Sequence, residues 1–121
     1  MPFAEDHFEI RTDYDVVTAR QQARELARQM GFAITDQTRI STAVSEVSRW
    51  ALQRRGTIYF SHCQDAFHQG LECICIVEIT LEQAAEVARI ESFGARGLVD
   101  DYRVETRKGD QVALIMRKWL R

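Results

Sequence analysis

Apolar residues at Ile40, Ala43, Val44, Val47 and Ala51 recur at three- and four-residue intervals, the spacing that gives a helix one buried face. The pattern predicts a helix over 36–52, with Thr35 or Asp36 as its N-cap. At about 100° per residue, Glu46 and Trp50 fall side by side on one rim of the apolar stripe, and Arg49 points away. A carboxylate and a large aromatic so placed form either the lip of a pocket or a solvated glutamate shielded by an indole. Upstream, Asp13 or Asp15 opens another helix that carries Val16, Ala19, Ala23, Leu26, Ala27 and Met30 on one face. Gly31 ends it as a C′ glycine, with Phe32 folding back on the last turn. The short connection sets the two helices side by side.

The remaining periodicity is mostly two. Residues 7–12 alternate and read as a short strand. Gly56 ends the second helix, and Thr57–Cys63 and Leu71–Ile79 read as strands joined by a hairpin loop over 64–70. In the later strand Leu71, Cys73, Cys75, Val77 and Ile79 share a face; on the other, Glu72 and Glu78 flank Ile74 and Ile76. Thr80-Leu-Glu-Gln83 matches a capping box and predicts a helix through Ala88. A glycine-containing break over 92–97 leads to a single helical turn at Leu98-Val99. Tyr102, Val104 and Thr106 then alternate as a strand, Lys108-Gly109-Asp110 turns, and Val112–Met116 returns. The order predicts one α/β domain over 1–121, a two-layer sandwich with helices on one face of a mixed, mostly antiparallel sheet.

Composition narrows the function classes. A net charge of −2 gives no basic face for nucleic acid. No apolar run approaches the ~20 residues of a membrane span, and the first residues lack the regions of a signal peptide. A cytoplasmic, reducing location is the expectation, in keeping with an odd count of 3 cysteines. His62, Cys63, Cys73 and Cys75 lie on adjacent strands, but a Cys-x-Cys strand pair is not the Cys-x-x-Cys knuckle of zinc sites. Core packing is the expected role of these cysteines, and His7 and His68 are expected to face solvent. The arginines of the first helix, Arg20, Arg24 and Arg28, form a solvated face or a patch for an acidic partner.

The run Gly31-Phe-Ala-Ile-Thr-Asp-Gln-Thr-Arg-Ile-Ser-Thr-Ala-Val-Ser-Glu-Val-Ser-Arg49 resembles the anti-sigma-factor serine kinases of bacterial partner-switching modules, in their RsbT-like branch. Gly94-Ala-Arg-Gly-Leu-Val-Asp-Asp-Tyr-Arg-Val104 and Lys118-Trp-Leu-Arg121 are similar to that branch too. The resemblance implies the histidine-kinase-type (GHKL, Bergerat) ATPase fold, with ATP and magnesium as cofactors of active members. In those members a Glu acts as base toward a substrate serine, and an Asn four residues later ligates the metal. Glu46 matches the Glu, but Trp50 stands at the Asn position, and an indole has no lone pair for a hard cation.

Two further departures accompany it. The family's adenine-reading Asp and glycine-rich turn follow the strand that corresponds to Leu71–Ile79, where this chain has Thr80-Leu-Glu-Gln83 and Glu78 as a displaced acid. Of the glycine-rich lid only Phe93-Gly-Ala-Arg-Gly97 is left, with Gly94, Arg96 and Gly97 as candidate anion contacts. The expectation is a degenerate member that holds no nucleotide or metal. Its vestigial pocket comprises Glu46, Trp50, Glu78, Gly94, Arg96 and Gly97. It would act by binding a protein partner (a STAS-type antagonist, a sigma factor or a phosphatase), with a homodimer through the N-terminal strand and helix as a further option. The alternative is an ATP-dependent serine kinase with a divergent site, using Glu46 as base and Glu78 or Asp100 in altered roles.

Overall fold

In the computed structural model the described residues are 7–79, 94–107 and 109–121. Helix α1 runs Asp13–Met30. Its N-cap is Thr12, one residue before the expected start: the Thr12 hydroxyl accepts from the Asp15 amide at 3.3 Å, and the Asp15 carboxylate accepts from the Thr12 amide at 2.9 Å. This reciprocal pair satisfies two otherwise orphaned donors. Gly31, at φ 92°, terminates the helix, and Phe32 N–H donates back to the Ala27 carbonyl at 3.0 Å. Helix α2, Ile34–Leu52, begins two residues earlier than predicted and has no side-chain cap at Ala33. The Gln37 amide compensates at the buried entrance by donating to the Phe32 carbonyl at 2.8 Å.

The exit of α2 also departs from the sequence expectation. The left-handed residue after the helix is Arg55, at φ 52°, and not Gly56. Gly56 is required for proximity instead, since a Cβ there would lie 2.4 Å from the Ala51 Cβ. That close approach lets the chain turn directly from α2 into the sheet.

Five strands follow the predicted order: β1 (His7–Glu9), β2 (Thr57–Gln64), β3 (Gln69–Glu78), β4 (Asp101–Thr106) and β5 (Gln111–Trp119). They are arranged β1-β2-β3-β5-β4, and every described pairing is antiparallel. Asp65 closes the β2–β3 hairpin by accepting from the Phe67 and His68 amides, each at 2.7 Å. The helix expected from Thr80 to Ala88 lies outside the described residues. The helical turn expected at Leu98-Val99 is a 3-10 turn over Gly94–Leu98.

Side-chain alternation divides the sheet cleanly. Ile58 and Phe60 of β2, Leu71, Cys73, Cys75 and Val77 of β3, and Val112, Leu114 and Met116 of β5 join the buried faces of α1 and α2 in one core. The fold is therefore the expected two-layer sandwich, with helices on one face. Burial raises the thiols of Cys73, to about 12, and Cys75. Cys63 lies on the opposite face, where burial and the Glu72 charge raise it to about 11. Such thiols pack as small apolar groups rather than reacting as thiolates. Among the described residues no group of three or more His, Cys, Asp or Glu side chains could hold a metal ion, and no helix is long and apolar enough to cross a membrane.

Candidate functional site

The helical side of the sheet brings Glu46 of α2 against the 3-10 turn. A Cβ at Gly94 would lie 3.2 Å from both Glu46 carboxylate oxygens, so this glycine is what lets the turn close on the acid. Ala95, next along, is fully buried. Glu46 is half-buried, and its Oε2 has no hydrogen-bond partner among the described residues. The Ser45 and Ser48 hydroxyls beside it are likewise buried and unpartnered among those residues. A buried acceptor left without a donor costs about 1–3 kcal/mol.

Trp50 packs inward. Its side chain is only 9% exposed and belongs to the core. The Arg54 guanidinium sits over the ring, 5.0 Å from its centroid, and also donates to the Trp50 carbonyl at 3.0 Å. Core packing on one side and the stacked cation on the other hold the indole in place.

Glu78 is a clear correction. It pairs in register with Gln111, on the face of β3 that carries Ile74 and Ile76, and is exposed. Strand alternation therefore puts it across the sheet from Glu46. Arg96 and Gly97 are exposed on the 3-10 turn, and a Cβ at Gly97 would meet nothing within 4 Å, so neither steric need nor backbone conformation demands a glycine there. Phe93 lies outside the described residues. The structure thus brings together Glu46 and Gly94 with the turn that bears Arg96 and Gly97, sinks Trp50 into the core and sets Glu78 apart.

Asp100 is committed elsewhere as well. It accepts from the Trp119 amide at 2.7 Å, from Lys118 Nζ at 3.2 Å and from Arg121 at 3.1 Å. Lys118 is 6% exposed and also lies 3.7 Å from Asp36 at the start of α2. Burial pushes the Asp100 carboxyl upward, but the Trp119 amide and the two cations outweigh it and hold it below its ordinary value. The sequence reading missed this cluster, because nothing in β-strand periodicity marks a buried lysine.

No protein-family model matches the chain. It is, however, similar to the serine/threonine-protein kinase RsbT of Bacillus subtilis (strain 168), with 30% identity over 125 residues that cover 93% of this chain and 94% of that protein. The chain belongs to the RsbT family of anti-sigma-factor serine kinases. Coverage of both chains nearly end to end means that the RsbT relationship embraces the helices, the sheet and the 3-10 turn together. Within that relationship Glu46 and Gly94 are in contact, whereas Trp50 faces the core.

Proposed function

We propose that the chain is a non-catalytic, cytoplasmic member of its family, which regulates a bacterial partner-switching or sigma-factor pathway by binding a protein partner. The reading builds on the histidine-kinase-type ATPase fold that the resemblance implies. The observation that carries it is the placement of Trp50. One turn beyond Glu46, where the family's active members present an amide oxygen to magnesium, this chain packs an indole into its core under Arg54. Among the described residues the site supplies one carboxylate, and an indole at Trp50 offers magnesium no lone pair. Glu78, on the other face of the sheet, is no substitute for an adenine-reading acid.

The partner then meets the surface formed by Glu46 and the Gly94–Leu98 turn, where an acid with a spare acceptor and the exposed Arg96 offer complementary contacts. A STAS-type antagonist, a sigma factor or a phosphatase fits this role. Isothermal calorimetry with Mg-ATP and Mg-ADP tests the reading. No heat up to millimolar nucleotide is expected, and micromolar binding overturns it.

One observation favours a second reading. Glu46 has a buried oxygen near Gly94 with no partner among the described residues, as a general base in wait for a hydroxyl would. A divergent ATP-dependent serine kinase predicts a nucleotide-dependent rise in melting temperature, since a ligand that binds only the folded state stabilises it. It also predicts transfer of label from γ-labelled ATP to a STAS-type substrate protein, abolished in Glu46→Gln.

A further inference from the structure

The sheet face turned away from the helices is not built like a solvated face. On it, in register across β2, β3 and β5, stand Tyr59, Ile74 and Ile115 in one row and Thr57, Ile76 and Ala113 in the next. Ile115 is 4% and Ala113 0% exposed, yet neither belongs to the core between sheet and helices. Tyr59 is 40% exposed and carries His7 stacked on its ring, 5.8 Å between centroids. An antiparallel sheet with one wet side ordinarily alternates to polar residues there. Among the described residues no element crosses this band.

The surround is as informative as the band. Glu72 accepts from Ser61 at 3.3 Å and from Arg117 at 2.6 Å. Trp119 lies against Gly70, where a Cβ would come within 2.8 Å of the ring, and its indole N–H donates to Asp101 at 2.8 Å. Arg103 and Arg107 both lean on Glu105, at 3.1 and 3.9 Å. Five carboxylates (Glu9, Glu72, Glu78, Asp101 and Glu105) against three guanidinium groups leave the surround at a net charge of −2. Beside the band a cavity of about 220 Å³ opens between β4 and β5, lined by Asp101, Tyr102, Arg103, Ile115 and Arg117. That is below the roughly 300 Å³ at which small-molecule pockets begin, and it suits a single side chain.

We propose that this face is a second docking surface, and that its occupant is an amphipathic helix of a partner protein with an apolar stripe flanked by lysine or arginine. Three strands at about 4.8 Å spacing make a band about 10 Å wide, close to the ~10–12 Å diameter of a helix. The partner's flanking cations meet Glu9, Glu78 and Asp101, and one apolar side chain of its stripe enters the cavity over Ile115. A second copy of this chain is the poorer occupant, because a two-fold contact opposes each negative surround to itself. The face lies across the sheet from Glu46, so the inference does not depend on whether nucleotide binds there.

Two synthetic 18-residue helical peptides test the proposal, with one leucine stripe in common and either lysine or glutamate flanks. Binding is followed by fluorescence anisotropy and mapped by amide chemical-shift changes on the full chain. The lysine peptide is expected to bind at least tenfold tighter than the glutamate peptide, with shifts on β2, β3 and β5. Ile74→Lys is expected to weaken it at least tenfold. The pair Glu9→Lys and Glu78→Lys, both at exposed positions, is expected to reverse the peptide preference without altering the fold. The second variant decides the matter should Ile74→Lys fail to fold. Equal binding of the two peptides, shifts confined to α1 and α2, or a dimer in sedimentation that Ile74→Lys dissolves would each overturn the proposal.

Discussion

Replacing Trp50 by Asn is the direct test of what that position does. Were the indole a plug in an otherwise intact metal site, the change would restore a ligand at little cost. The structure predicts the opposite. Removing a core tryptophan side chain costs about 3–5 kcal/mol in transfer and cavity terms. The amide left behind is buried without a designated partner, about 1–3 kcal/mol more, though the smaller group partly refills the space. The stacked Arg54 guanidinium also loses its ring. A total of about 4–6 kcal/mol follows, against a typical domain stability of 5–15 kcal/mol. With an unfolding entropy of about 2.1 cal/mol/K per residue, 121 residues lose about 4 °C per kcal/mol. The melting temperature should therefore fall by about 16–24 °C. Trp50→Phe, which keeps most of the volume, should lose less than half of that. Calorimetric and urea melts of the two variants provide the comparison. If Trp50→Asn melts within about 5 °C of the parent, the indole is not a core anchor, and the argument from Trp50 against a metal site collapses with it.

Two shorter tests address the site and its neighbours. Gly94→Ala forces the Glu46 carboxylate aside and should cost about 1–2 kcal/mol, whereas in a Glu46→Ala background the same change should be nearly neutral. A double-mutant cycle on urea midpoints reads the coupling, and additive costs would show that the two residues do not touch in solution. Asp100, held below its ordinary value, contributes stability that is complete above the unfolded-state value near pH 4 and is lost as pH falls through the lower folded-state value. Asp100→Asn should therefore destabilise by about 2 kcal/mol at pH 7, with the gap between variant and parent closing as pH falls through the lowered folded-state value; a gap independent of pH would refute the assignment.

The fold was legible where periodicity is strong. Two amphipathic helices and alternating strands fixed the layers, because burial on one face leaves a 3.6- or 2-residue trace in the sequence. The ends of elements were harder. Helix α2 starts at Ile34 without a side-chain cap, and Arg55 rather than the neighbouring glycine takes the left-handed turn. In both places tertiary contacts, Gln37 on Phe32 and Gly56 on Ala51, override local preference. At the site, helical geometry correctly placed Glu46 and Trp50 on adjoining positions but could not say which faced solvent. Glu78 was misgrouped because linear proximity to a motif does not reveal the face of a strand. Its even-numbered neighbours Ile74 and Ile76 carried that information, since they occupy the side opposite Cys73 and Cys75.

Segments 31–49, 94–104 and 118–121 resemble the family, and the structure brings all three to common points. Asp36 from the first, Asp100 from the second and Lys118 and Arg121 from the third share one ionic cluster. Glu46 from the first closes on Gly94 from the second. The cluster ties the start of α2 to the end of β5 and to the strand that follows the 3-10 turn. Removing the buried Lys118 would take away the one cation that Asp36 and Asp100 share, leaving each to its more exposed arginine, Arg39 and Arg121. These are demands of the scaffold. Trp50 lies outside the three segments and packs into the core, one turn beyond the point where α2 meets the 3-10 turn.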